Sequence, residues 1–127
     1  MSRAKARVLI VDDDPDILFF LRVDLEAEGF DVSLASDGET ALRRIEEEHP
    51  DLVLLDVMMP VLDGWATLEG ITAQPRRPRV VILSAKSSPQ DKERAARLGA
   101  DRYVTKPFAP RDVVEAIRAA MAPSQPA

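Results

Sequence analysis

The sequence predicts an α/β protein, an open and doubly wound parallel sheet of five strands with helices on both faces. Three observations carry that prediction. Short runs rich in Val, Ile and Leu alternate along the chain with helix-length amphipathic segments. The central runs are continuously apolar, as strands covered on both faces must be. Cap and stop residues flank the helical segments at the expected positions.

The elements follow in order. "RVLIV" (7–11) is the first strand. Residues 15–28 form the first helix, with Ile17, Leu18, Leu21 and Leu25 on one stripe and Gly29 as its stop. "FDVSLA" (30–35) alternates and reads as a strand nearer an edge. Residues 37–48 are the second helix, capped by Asp37 or Ser36, with Ala41, Leu42 and Ile45 facing inward. "DLVLLD" (51–56) is a strand covered on both faces, followed by a short third helix over 65–73. "RVVILS" (79–84) is the fourth strand. Residues 88–98 form a helix that starts with a serine cap and a proline and ends at Gly99. "DRYVT" (101–105) is the fifth strand, and 110–122 is the last helix, with Val113, Val114, Ile117 and Met121 inward. The tail "PSQPA" is too polar and proline-rich to pack. The expected organisation is one domain over 1–122 and a disordered tail over 123–127, with no internal repeat. Right-handed crossovers leave few topologies for this pattern.

Composition narrows the function. A chain of 127 residues with 46% apolar content can bury a core without staples. It has no cysteine, which excludes disulfides and thiol chemistry. A net charge of −5 opposes a nucleic-acid-binding face, which needs a basic stripe. No apolar run reaches membrane-span length and no signal segment opens the chain. The expectation is a cytoplasmic module that meets other proteins, with no direct nucleic-acid binding and no membrane contact.

In sheets of this kind function gathers at the carboxyl ends of the strands. Asp12 and Asp13 end the first strand, Asp56 the third and Ser84 the fourth, while Lys106 follows the fifth. If these strands are neighbours, the residues converge. Three clustered carboxylates repel one another unless a cation is present. Oxygen donors without His or Cys suit Mg²⁺. Carboxylate, Mg²⁺, lysine and hydroxyl together make a phosphoryl-transfer site in which one carboxylate can form an aspartyl-phosphate.

The motifs "VLIVDDDPDIL", "LVLLDVMMPVLDG", "VVILSA" and "GADRYVTKPF" resemble those of response-regulator receiver domains, the phosphoryl-accepting half of two-component signalling. The resemblance spans about residues 6 to 122. It implies a flavodoxin-like receiver fold with strand order 2-1-3-4-5, which periodicity alone does not supply. It implies that Asp56 is phosphorylated by a sensor histidine kinase or a histidine phosphotransfer protein. It gives Asp12 and Asp13 to Mg²⁺, with the Asp56 carboxylate and the backbone carbonyl of Met58. Ser84 becomes the switch hydroxyl, Ala85 the small residue that leaves access for the donor, and Lys106 the partner of the phosphoryl oxygens. The Lys106–Pro107 peptide is expected to be cis, and Tyr103 to turn inward when Ser84 moves. The chain is then not an enzyme but a phosphoacceptor that assists its own phosphorylation and dephosphorylation. A downstream target would read the face formed by 88–122. Met58 and Lys86 border the phosphoryl group in this family. A methionine cannot orient water, so slow acyl-phosphate decay is expected, with faster decay in Met58→Asn.

Other acids have plainer readings. Asp14 is a helix cap, Asp16 a first-turn acid, Asp51 a turn residue, and Asp63–Gly64 a turn signal. His49 reads as a solvated helix end and Trp65 as packing. Arg102 stands where many receivers that dimerise through this face carry an acid, which weakens the charge-paired dimer. Arg94, Arg97, Asp101 and Arg111 leave another partner surface open. Two alternatives differ in class. An aspartate-nucleophile phosphatase would use Asp12 and Asp14, but Asp16 stands where that class has Thr or Val, and no cap insertion is present. A binding-only receiver would lack site residues, and none is missing here.

Overall fold

The structure is a computed structural model that describes residues 5–57, 64–86 and 88–122. Its elements alternate as β1 (Arg7–Val11), α1 (Pro15–Ala27), β2 (Asp31–Ala35), α2 (Gly38–Glu48), β3 (Leu52–Asp56), α3 (Gly64–Thr72), β4 (Arg79–Ser84), α4 (Pro89–Arg97), β5 (Arg102–Thr105) and α5 (Pro110–Met121). The five strands form one parallel sheet in the order β2-β1-β3-β4-β5. The expected topology is therefore present, with β2 at an edge.

The continuous apolar runs feed two cores, because successive side chains of a strand point to opposite faces. Val8, Ile10, Leu54, Val81 and Leu83 meet α1 and α5 through Leu18, Leu21, Leu25, Val113, Val114 and Ile117. Leu9, Val11, Val53, Leu55, Val80 and Ile82 meet α2, α3 and α4 through Ala41, Ile45, Leu68, Ile71 and Ala95. Every residue of β3 is buried. Ile17, Leu42 and Met121, expected to face inward, pack only partly buried at the margins of these cores.

Helix ends follow the caps. Asp14, Asp37 and Ser88 each accept a backbone N–H of the first helical turn. Gly29 takes a left-handed φ of 92° just past α1 and Gly99 one of 105° past α4, where a side chain would be strained.

Small differences from expectation have local causes. Asp51 and Asp101 stand just outside their strands, and each carboxylate accepts a backbone amide near the start of a neighbouring strand. Asp51 takes Arg7 N–H at 2.7 Å and Asp101 takes Val80 N–H at 2.8 Å. The third helix starts at Gly64, one residue earlier than expected. Met58, Met59, Asp63 and the tail 123–127 lie outside the described residues.

Candidate functional site at the carboxyl edge of the sheet

Parallel register brings the strand ends to one edge. Val11 pairs with Leu55, Asp56 with Leu83, and Ser84 with Thr105. Asp12 therefore leaves β1 beside Asp56, and Lys106 leaves β5 beside Ser84. Carboxylate oxygens of Asp12, Asp13 and Asp56 all lie within 4.8 Å of one another. Asp12 and Asp56 are buried, at 0% and 3% exposure, while Asp13 is exposed at the mouth.

Lys106 reaches this cluster from the far side. Its Nζ lies 3.2 Å from Asp12 Oδ2 and 3.3 Å from Asp56 Oδ2. The other Asp12 oxygen, Oδ1, accepts the Asp14 amide at 2.9 Å, and Asp14 in turn caps α1. One ammonium against three carboxylates leaves a local charge of about −2 if all are ionised. The electrostatics carry that strain. Burial raises the Asp12 pKa to about 6, and Asp56 adds to the rise, while the Asp14 amide and Lys106 oppose it. Burial works against the Lys106 charge, but attraction and hydrogen bonds from Asp12 and Asp56 outweigh it and hold its pKa above the usual lysine value.

This donor set fits Mg²⁺. It is all oxygen, it is crowded, and it holds a buried carboxylate whose ionisation is disfavoured until more positive charge arrives.

The remaining edge residues line the opening. Ser84 is fully buried, its Oγ accepts Lys86 N–H at 3.0 Å, and its carbonyl accepts Lys106 N–H at 2.8 Å. Ala85 and Lys86 are exposed beside it. The Tyr103 hydroxyl donates to the Lys86 carbonyl at 2.7 Å. Burial raises the Tyr103 pKa and Asp91 adds to it, against a hydrogen bond with Ser84. The peptide between Lys106 and Pro107 is cis, as expected.

The structure thus gathers Asp12, Asp13, Asp56 and Lys106 directly and sets Ser84 at the end of β4, while Tyr103 stands within β5, opposite Ile82, and reaches the Lys86 carbonyl with its hydroxyl. The Met58 carbonyl lies outside the described residues. Sequence reasoning missed three features nearby. The Asp14 amide bond to Asp12 was legible as an Asx-type turn two residues long. Arg94 lies 4.3 Å above the Trp65 ring, a cation–π contact between α4 and α3 that no local signal announces. Asp101 is engaged by Arg77, Arg79 and the Val80 amide, so it is a structural tie more than a free surface acid.

A doubly wound sheet that assembles acids, a lysine and a hydroxyl at its carboxyl edge defines a phosphoacceptor class. The chain belongs to the response regulator receiver domain family, whose model matches residues 8–118. Accepting a phosphoryl group in two-component signalling is that family's function, and its members are generally not enzymes. Receiver domains bind Mg²⁺ at an acidic pocket. The chain is similar to the alkaline phosphatase synthesis transcriptional regulatory protein PhoP of Bacillus subtilis (strain 168), at 43% identity over 119 residues, covering 94% of this chain and 50% of PhoP. It is similar to the transcriptional regulatory protein PrrA of Mycobacterium leprae, at 43% over 113 residues, covering 89% of this chain and 48% of PrrA. It spans about half the length of these relatives. Among solved structures, the Vibrio cholerae chemotaxis protein CheY4 superposes with a TM-score of 0.88 at 28% identity, covering 92% of this chain and 99% of CheY4. The receiver domain of the Francisella response regulator 1452 does so at 0.87 and 34%, covering 92% and 97%.

Proposed function

We propose that Asp56 accepts the phosphoryl group, with Mg²⁺ held by Asp12, Asp13, Asp56 and the Met58 carbonyl, and that Ser84 and Tyr103 carry the resulting switch. The observation that supports this most is the buried Asp56 carboxylate with Asp12 and the Lys106 ammonium at its side. The donor is a sensor histidine kinase or a histidine phosphotransfer protein. An Asp56 carboxylate oxygen attacks phosphorus as the bond to the donor nitrogen breaks, and the electron pair leaves with that nitrogen. Lys106 is placed to follow the new charge, since its ammonium already spans Asp12 and Asp56. Mg²⁺, when bound, supplies further charge neutralisation to the transferring oxygens and the attendant carboxylates.

The phosphoryl group offers Ser84 and Lys106 new acceptor oxygens. A shift of Ser84 disturbs its bond to the Lys86 amide, and the Tyr103 hydroxyl bonds the Lys86 carbonyl. These contacts link the phosphoacceptor edge to Lys86, ahead of α4, and to β5, part of the face over 88–122 that a downstream protein target reads. The change is a population shift between conformers. The working unit is residues 1–122, acting in the cytoplasm, and the same site groups assist both gain and loss of the phosphoryl group. No helix among the described residues is long and apolar enough to cross a membrane.

Incubation with acetyl phosphate tests this reading. The wild-type chain should gain a phosphoryl group only when Mg²⁺ is present, and Asp56→Asn should gain none. Equal incorporation in Asp56→Asn would overturn it.

A further inference from the structure

Gly64 reads in the sequence as half of an Asp-Gly turn, but its backbone does not need glycine. Among the described residues only Gly29 and Gly99 are glycines with positive φ, and Gly64 is the first residue of α3. What it needs is space. A Cβ at position 64 would stand 1.9 Å from Val57 Cα, 2.6 Å from its carbonyl carbon and 2.7 Å from its Cβ. Two of those atoms are backbone, so no rotamer change relieves the contact. Both partners are interior, with Val57 at 3% exposure and Gly64 buried.

The place of this contact gives it a consequence. Val57 directly follows Asp56, the last residue of β3. Gly64 opens α3, so the contact ties the start of α3 to the residue after Asp56, one residue from the Asp56 carboxylate. Separating 1.9 Å to the 3.0 Å that real Cβ contacts require would force the two backbones apart at that point. Sites of this kind keep productive geometry only within about 0.5 Å. The start of α3 is braced on its other side as well, because Trp65 packs partly buried and Arg94 of α4 covers its ring. The strain of a larger residue at 64 would therefore fall on Val57 and Asp56.

We infer that Gly64 is a positioning residue of the phosphoacceptor site: its missing side chain lets backbone close on Val57 and sets the placement of Asp56. The inference rests on the reading of Asp56 as a phosphoacceptor with Mg²⁺. It concerns the packing of α3 against the end of β3 and not the ligand set.

Gly70 supplies the matched control. It lies in the same helix, and an added Cβ would meet only the Leu42 side-chain methyls, at 3.1 and 3.2 Å, which can give way. Ala favours the helix at either position, and more so at 70 in its interior, so helix propensity does not explain a loss at 64. Mg²⁺ affinity by calorimetry and the urea midpoint are measured for the full chain of each. Gly64→Ala should bind Mg²⁺ at least tenfold more weakly, and Gly70→Ala within twofold of wild type. Wild-type affinity in a folded Gly64→Ala overturns the inference while leaving the Asp56 reading intact. A wild-type chain that binds no Mg²⁺ removes both. If Gly64→Ala does not fold, amide spectra of the wild type decide. Mg²⁺ should shift the Gly64 and Val57 signals together, and a Gly64 signal that stays in place overturns the inference.

Discussion

Asp12 shows how a single residue can be costly to the fold and useful to the site. It is fully buried, and its pKa of about 6 stands above the usual 3.8 chiefly because burial disfavours the charge. Between those two values the folded chain binds more protons than the unfolded chain, so stability falls as pH rises from about 4 to about 6 and stays reduced above. Asp12→Asn removes that penalty. In Mg²⁺-free buffer at pH 7.5 the variant should be more stable than wild type, on the order of 3 kcal/mol from the size of the shift. Near pH 4 the two should converge, and Mg²⁺ should raise the melting temperature of wild type alone. Thermal melts across this range check it, and a gain that does not vary with pH would contradict the electrostatic account. Lys106 explains why the penalty is not larger, since it already bonds both buried acids.

At the scale of elements, much was legible because local chemistry and tertiary demand agree. Asp14, Asp37 and Ser88 look like caps in the sequence and act as caps in the structure. Asp37 offers a quantitative check. Its Oδ1 accepts the Thr40 amide at 2.7 Å, and that bond lowers its pKa. The stabilisation is therefore present above the ordinary pKa of 3.8 and is lost as pH falls through the lower folded value. Asp37→Ala should cost about 1 kcal/mol at pH 7 in urea unfolding, with a smaller cost at pH 2. No loss at pH 7 would mean that α2 does not depend on its cap. What could not be read at this scale was cross-chain bonding. Asp51 reads as a turn residue and Asp101 as the start of a strand, yet each holds a backbone amide of a neighbouring strand, Arg7 N–H of β1 and Val80 N–H of β4. The Arg94–Trp65 stack joins two helices whose sequences carry no shared pattern.

For the whole molecule, the alternation of five strands and five helices made the fold legible, and the parallel sheet then placed the site. Residues at the carboxyl ends of β1, β3, β4 and β5 lie on one edge wherever those strands are neighbours, so Asp12, Asp56, Ser84 and Lys106 could be found before any contact was known. The order of the strands came from resemblance, because periodicity does not specify which strands are neighbours. The packing demand on Gly64 was not legible for a related reason. A close approach between two backbones, 1.9 Å from a hypothetical Cβ to Val57 Cα, belongs to the tertiary structure and leaves no trace in local sequence. The central claim is that the aspartate ending β3, and not the one following β1, takes the phosphoryl group. The direct measurement is peptide mapping of the chain after reaction with acetyl phosphate and Mg²⁺, with the acyl-phosphate trapped by reduction. The account predicts the modification on Asp56, and a modification on Asp12 would contradict it.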